Sequence, residues 1–345
     1  MTGWRQRVTG AAVGLFSHAP DPLASTFDHP GDPGLFGPGS MTWRVMCDCS
    51  TFVGGVRALL VQAAHPEVAA GVGDHSDYRD DPLGRLSRTA SYVTATAYGS
   101  MPEVESAIAV VRRAHEPVRG TSHRGMAYSA CAPGMAAWVH NALVDSFLTA
   151  YRTFGPAPLS DTEADTYVAE QTRLGALMGA EPLPDNVSDL QKWLVDHRAV
   201  SHSPAGADAI GFLSQAPLHQ PTSSAYQMLY AGAVATIPRR LRRTLGLRVR
   251  PGGRTAGRAV TGLLHAALGF SPTHLSLYQL TIEPNTAFAA NPPVLPDEEV
   301  LWNIRCAVQD LAGQAGFEQY EVSAFARPGQ HCQHNLNYWE FGDYI

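Results

Sequence analysis

The sequence predicts a mainly α-helical protein that ends in a short α/β segment. Two observations support this fold class. Through the first 270 residues, segments with helical periodicity follow one another, separated by short loops and without a convincing strand. From His274 to Phe288 the pattern changes to an alternation of apolar and polar residues, broken at Pro284, which is typical of a β-strand.

The N-terminal half predicts an arm followed by three helical segments. The first forty residues are rich in proline and glycine and predict an arm without regular structure. Thr51–Val72 is largely apolar and is expected to break at Pro66, because proline removes a helix hydrogen bond. Asp81–Tyr98 begins with an Asp-Pro pair, a favourable helix start, and Pro102–Glu116 follows it.

Four more helices are predicted in the next part of the chain. Pro133–Phe154 is closed by a glycine, and Asp161–Gly179 opens with an acidic first turn that suits the helix dipole. Val187–His197 and Ser224–Leu245 complete the set. The predicted domains are an N-terminal arm (1–40), a helical domain (41–269) and an α/β fragment (271–345).

Composition excludes several classes of protein. Hydrophobic residues make up 45 % of the chain, which is enough for a sizeable core. No apolar run reaches the ~18 residues of a membrane span, so no membrane span is predicted. The five cysteines show neither a disulfide framework nor a zinc spacing, which favours a reduced, cytoplasmic compartment.

The net charge of −6 is unevenly distributed. Residues 1–270 hold 23 basic and 22 acidic side chains, whereas residues 271–345 hold 2 and 9. The basic cluster Pro238–Arg250 is interpreted as the solvated end of a helix, with nucleic-acid or lipid binding as the alternative. No nucleic-acid partner is predicted.

His115 is the strongest candidate for a functional residue. Pro117 disfavours helical geometry at the residue before it, which places His115 at or near a helix C-terminus. The partial negative charge there favours an imidazolium or a cation bound by the ring. A single imidazole among apolar neighbours suits a heme iron better than zinc, which takes four ligands. The alternative is an ordinary hydrogen-bonded helical histidine.

Two further groups of polar side chains stand out. Arg85 and Thr89 are four residues apart and share one helix face, with Arg88 beside them. Such a pair of arginines also fits a surface ion-pair face. His140 lies in the middle of a predicted helix between apolar residues, and Asp145 is too far along that helix to be its close partner.

The order and spacing of several motifs resemble one oxygenase family. These motifs are GDPGLFGPGSMTWRV, the long run from GGVRALLVQAAHPEV to SYVTATAYGS, VRRAHEPVRG and WVHNALVDSFLTAYRTFG. Between about Gly31 and Leu247 the chain resembles the rubber oxygenase (latex-clearing protein)/MpaB-type oxygenase domain family. The resemblance implies a largely helical, globin-like fold and a bound heme b.

The resemblance also implies roles for individual residues. His115 would be the proximal heme ligand and the metal-binding residue. Arg112 and Arg119 would support it or pair with a heme propionate. Arg85, Arg88 and Thr89 would line the heme pocket from the opposite helix as catalytic residues. They would stabilise negative charge that develops during the reaction with oxygen. His65 and His140 match family motif positions. They are expected to contribute to cofactor binding by supporting the residues that line the heme pocket.

Two positions depart from the family pattern. Met46 stands where a histidine is frequent, and Arg88 stands where rubber-cleaving members have a lysine. Arginine remains protonated and is a poor iron ligand, so rubber is not the expected substrate.

Residues 271–345 resemble a different family, the HemW-type heme chaperones related to radical S-adenosylmethionine enzymes. The motifs SLYQLTIEPNTAF, YEVSAFARPG and HNLNYW carry this resemblance. The CxxxCxxC cluster motif of that family is absent from the sequence, so its radical chemistry is not expected here. The chain is interpreted as a fusion near Gly269, natural or produced by gene assembly, and Leu275–Ile282 is expected to be an unpaired strand of an incomplete barrel.

These inferences predict an oxygenase-type oxidoreductase that uses heme b and O2 on an apolar small molecule. The substrate and the electron donor are not identified by the sequence. Three alternatives remain: a non-catalytic heme carrier or sensor, a HemW-like heme chaperone without catalytic competence, and a misassembled chain that binds no heme.

Overall fold

The computed structural model describes residues 20–218, 222–268, 274–276, 289, 298–314, 316–329 and 331. The chain divides into two compact units, Met1–Gly269 and Phe270–Ile345. Helices dominate the described residues and the strands are short, so the predicted mainly α fold class is confirmed. No described helix is long and apolar enough to cross a membrane.

The first unit is built from helices and one small hairpin. Its helices are α1 (Met41–Met46), α2 (Thr51–Gln62), α3 (Pro66–His75), α4 (Pro82–Tyr98), α5 (Met101–His115), α6 (Pro133–Phe154), α7 (Asp161–Leu177), α8 (Val187–Asp196), α9 (Pro204–Ser214), α10 (Thr222–Thr236), α11 (Arg239–Thr244) and α12 (Gly253–Leu268). The predicted break at Pro66 is confirmed, since α3 begins there and His65 caps it by accepting a hydrogen bond from Val68 N.

Two predictions for this unit were wrong. The predicted helix Ser224–Leu245 is divided into α10 and α11, because Pro238 disfavours helical geometry at the residue before it. A β-hairpin also precedes residue 274. Its strands β1 (Arg119–Thr121) and β2 (Ala127–Ser129) pair antiparallel, and Gly125 makes the turn with a φ of +72°.

The core of the first unit lies between α2 and α6. Gly54 of α2 allows close approach, because a Cβ at this position would lie 2.7 Å from Phe147 Cδ1 and 3.1 Å from Phe147 Cα. The same interface buries an ion pair, with Arg57 Nη1 2.7 Å from Asp145 Oδ2. Arg57 also donates a hydrogen bond to Ser146 Oγ at 2.8 Å.

The connection between α4 and α5 determines which residues face each other across them. Only Gly99 and Ser100 separate the two helices, so α4 and α5 run antiparallel. Ser100 and Glu103 form a capping box at the start of α5, and Glu103 also accepts hydrogen bonds from Ser25 and Thr26 of the N-terminal arm. The turn is therefore tied to the arm.

The second unit contains α13 (Glu298–Gln314) and the strands β3 (His274–Ser276), β4 (Glu318–Glu321) and β5 (Ala324–Ala326). The sheet order is β3-β5-β4 and both pairings are antiparallel. Leu275 and Ser276 were expected in an unpaired strand, but both pair with β5. Residues 277–282 of that predicted strand lie outside the described residues.

We predict that Gly54→Ala destabilises the first unit. The added methyl group meets backbone atoms of α6 that cannot move independently, so the free energy of unfolding should fall by about 1–3 kcal/mol. Gly55 is the matched control, because a Cβ there meets nothing within 4 Å. Gly55→Ala should be neutral or stabilising by about 0.5–1 kcal/mol. Urea unfolding followed by circular dichroism measures both, and equal effects would contradict the close α2–α6 contact.

Candidate functional site

Arg85 lies in the first turn of α4, where neighbouring side chains hold its guanidinium. Its Nη1 donates a hydrogen bond to Thr89 Oγ1, one turn further along the same helix face. Its Nε donates to Ser76 Oγ at 3.3 Å. Thr89 Oγ1 in turn donates to the carbonyl of Arg85 at 3.0 Å. Burial, with a smaller contribution from Arg88, lowers the pKa of Arg85.

His115 is the last residue of α5 and is half-buried. Burial lowers the pKa of His115 below its ordinary value, and the positive charge of Arg85 lowers it further. These two effects oppose the helix dipole, which favours an imidazolium or a cation bound by the ring. Neither ring nitrogen has a hydrogen-bond partner within the part of the chain that the structure describes. Burial and the charge of Arg85 therefore both favour the neutral form of the imidazole.

The antiparallel arrangement of α4 and α5 explains why Arg85 acts on His115. Arg85 lies 13 residues before the end of α4, and His115 lies 14 residues after the start of α5. Equal distances from the same turn place the two side chains at one level of the helix pair. The structure therefore places Arg85, with Thr89 hydrogen-bonded to it, close enough to act electrostatically on His115.

The other three arginines of the predicted site are exposed. Arg88 forms an ion pair with Asp81 at 3.0 Å, and both side chains are about half exposed. Arg112 lies one turn before His115 on α5, without an acidic partner among the described residues. Arg119 is in β1, where its carbonyl is hydrogen-bonded to His75 Nε2 at 3.1 Å.

His65 and His140 lie in separate buried environments. The ring of His65 packs against Trp138 and His197, with centroid separations of 5.5 and 5.4 Å. His140 is on α6, and a Cβ at Gly175 of α7 would lie 2.9 Å from its ring. Burial is the main cause that lowers the pKa of each histidine to about 4, so both are neutral at pH 7.

A small apolar cluster lies where α4, α5 and α7 meet. Its buried members are Leu35 of the arm, Val104 and Ile108 of α5, and Leu174 of α7. The half-buried side chains that pack against them are Phe36, Tyr92, Met101 and Met178. Ile108 is two turns before His115 on α5, and Tyr92 is three residues after Thr89 on α4. Both helices of the candidate site therefore also line an apolar environment.

Sequence reasoning missed Ser76 and Tyr92. Tyr92 was detectable, because the positions 85, 89 and 92 recur at helical spacing on one face of α4. Burial raises the pKa of its phenol above the ordinary value. Ser76 was not detectable, since it lies outside α4 and reaches Arg85 only through the turn between α3 and α4.

Two other features bear on ligand chemistry. Among the described residues, no three or more histidine, cysteine, aspartate or glutamate side chains are grouped so that they could hold a metal ion. A cavity of about 680 Å³ lies away from α4 and α5 and is lined by α8 residues, including Trp193 and Asp196, with His197 beside them.

A comparison with protein families agrees with the resemblance in the first unit. A family model described as "ER-bound oxygenase mpaB/B'/Rubber oxygenase, catalytic domain" matches residues 43–268. This range includes every predicted site residue.

Curated relatives match a different, shorter segment. Heme chaperone HemW of Escherichia coli K12 is 60 % identical over 84 residues, and the protein of the same name from Haemophilus influenzae is 56 % identical over 82 residues. Each match covers 24 % of this chain, and 22 % and 21 % of the respective relatives. The chain thus spans about a fifth of the length of these relatives. No solved structure matches the chain.

We predict that Arg85→Gln raises the pKa of His115 towards its ordinary value. The guanidinium of Arg85 opposes protonation of His115, so its removal favours the imidazolium. An NMR titration of His115 in the heme-free protein measures this change. Arg88→Gln is the matched control, because Arg88 is exposed and paired with Asp81. An unchanged pKa of His115 in Arg85→Gln would contradict the electrostatic contact across α4 and α5.

The buried histidines predict acid sensitivity. His65 and His140 have a pKa of about 4 in the folded protein and an ordinary value of 6.5. As pH falls from 6.5 to 4, the unfolded chain binds protons that the folded protein does not, so stability decreases. Each histidine contributes a slope of up to about 1.4 kcal/mol per pH unit. Urea unfolding across this range should show a shallower slope for His140→Gln, whereas the exposed control His123→Gln should retain the parent slope.

Proposed function

The chain belongs to the family of the ER-bound oxygenase mpaB/B' and rubber oxygenase catalytic domain, and on that premise we propose that its first unit is a heme-dependent oxygenase acting with O2 on an apolar small molecule. His115 is the residue that would hold the heme iron. One observation carries the proposal: half-buried His115 ends α5 beside Arg85, and burial together with the charge of Arg85 lowers its pKa. Heme b is the proposed form of the cofactor.

The donor set fits heme better than a multiply ligated metal. His115 offers a neutral nitrogen, the form that coordinates iron. Arg112 and Arg119 are exposed and have no acidic partner among the described residues, so they can pair with the carboxylates of propionates. The apolar cluster around Ile108 suits the hydrophobic faces of a porphyrin.

Bound heme would supply the redox-active iron at which O2 reacts with the substrate. The residues of the chain would contribute electrostatics and shape. Arg85 provides a fixed positive charge that stabilises negative charge developing during the reaction. Thr89 and Ser76 orient that guanidinium, so Thr89 acts chiefly through Arg85. The apolar cluster binds the substrate and excludes water.

The remaining predicted residues have more distant roles in this proposal. Arg88 is exposed at the edge of the candidate site and pairs with Asp81. Its positive charge lowers the pKa of Arg85. His65 and His140 support the fold as buried neutral side chains, His65 at the start of α3 and His140 between α6 and α7.

A heme carrier or sensor is the second candidate function. The observation that favours it is the segment similar to proteins named heme chaperone HemW. Such a carrier would use the same histidine but would leave no accessible iron coordination position for a gas. Binding of carbon monoxide to the reduced, heme-loaded protein separates the two functions.

We predict that hemin added to the protein produces a shifted Soret band and that His115→Ala abolishes or strongly weakens this band. Loss of the imidazole removes the proposed bond to iron, and absorption titration measures the change. The control is His123→Ala, which removes an exposed histidine from the β1–β2 turn and should retain the parent spectrum. Absence of heme uptake by the parent protein, or equal binding by His115→Ala, would refute the proposal. Circular dichroism verifies that both variants are folded.

A further inference from the structure

An arginine-rich surface extends from α11 through the following loop to the start of α12. Between Arg239 and Arg258 the chain holds eight arginines and no aspartate or glutamate. Seven of these arginines are exposed, and Arg240 alone among the described pairs has an acidic partner, Asp196 at 2.8 Å. The six that define the arginine surface are Arg239, Arg243, Arg248, Arg250, Arg254 and Arg258.

This arrangement has an electrostatic cost in the isolated chain. Arg254 and Arg258 are four residues apart on α12, a spacing at which like charges destabilise a helix. Arg248 and Arg250 flank a single residue in the loop. With no carboxylate within ion-pair distance among the described residues, repulsion between these guanidiniums is opposed only by solvent. An anionic surface would remove that repulsion.

Apolar exposure within the arginine surface indicates which anionic surface it fits. Val249, between Arg248 and Arg250, is 43 % exposed. Exposed aliphatic side chains among basic residues are typical of segments that lie on a bilayer. Single-stranded nucleic acids are bound with aromatic side chains that stack on bases, and residues 239–268 contain no phenylalanine, tyrosine or tryptophan.

We propose that the arginine surface binds the anionic headgroups of a phospholipid bilayer, with Val249 inserting at the interface. Each arginine near an anionic bilayer strengthens binding, and attraction to this face acts against a total chain charge of −6. The protein would lie on the membrane surface with α11 and the start of α12 against it. This inference does not depend on heme binding.

Co-sedimentation with vesicles tests the proposal on the full chain. The parent protein should bind vesicles of phosphatidylcholine containing phosphatidylglycerol and should not bind pure phosphatidylcholine. The double variant Arg248→Gln/Arg250→Gln should bind about 30-fold more weakly, since each basic residue near the surface strengthens binding about fivefold. Arg113→Gln/Arg305→Gln is the charge-matched control, which removes two exposed arginines elsewhere and should bind like the parent.

A second pair of variants distinguishes a bilayer from any other polyanion. Val249→Ser should weaken binding to anionic vesicles but leave binding to heparin unchanged. Val110→Ser is its control, because Val110 is 53 % exposed on α5. Absence of binding to anionic vesicles, equal binding by both arginine variants, or binding to double-stranded DNA without binding to vesicles would each overturn the proposal.

Discussion

The buried ion pair between Arg57 and Asp145 is the interaction on which the first unit depends. The two side chains are 1 % and 5 % exposed and join α2 to α6 at the centre of the core. Loss of either partner would leave an unpaired charge away from water, which costs about 3–5 kcal/mol. From α6, Trp138 packs against His65 and His140 packs against α7. The α2–α6 contact therefore positions α3 and α7.

In contrast to this pair of opposite charges, the candidate site places the positive charge of Arg85 beside a histidine. Burial and the charge of Arg85 lower the pKa of His115, while burial and the charge of Arg88 lower the pKa of Arg85. Glu103 anchors the α4–α5 turn to the arm, while Ser76 and Thr89 orient the guanidinium. A pKa perturbed by burial together with a specific neighbouring charge is typical of functional sites.

Most helix boundaries were predictable because they depend on local backbone chemistry. The starts at Pro66 and Pro82 and the end at Phe154 follow from proline and glycine signals that act over a few residues. The β1–β2 hairpin was missed because each strand has three residues, too few for an alternation to be recognised. The strand beginning at His274 was recognised, but its pairing with β5 joins residues about fifty positions apart and depends on tertiary contacts.

The candidate site likewise depends partly on local sequence and partly on tertiary contacts. Local sequence was sufficient to select His115, because Pro117 marks a helix end, and to place Arg85 and Thr89 on one helix face. Their mutual proximity required the two-residue turn at Gly99 and Ser100, which makes α4 and α5 antiparallel. The downward shift in the pKa of His115 came from tertiary structure. A helix C-terminus favours the imidazolium, whereas burial and the charge of Arg85, both products of packing, favour the neutral ring.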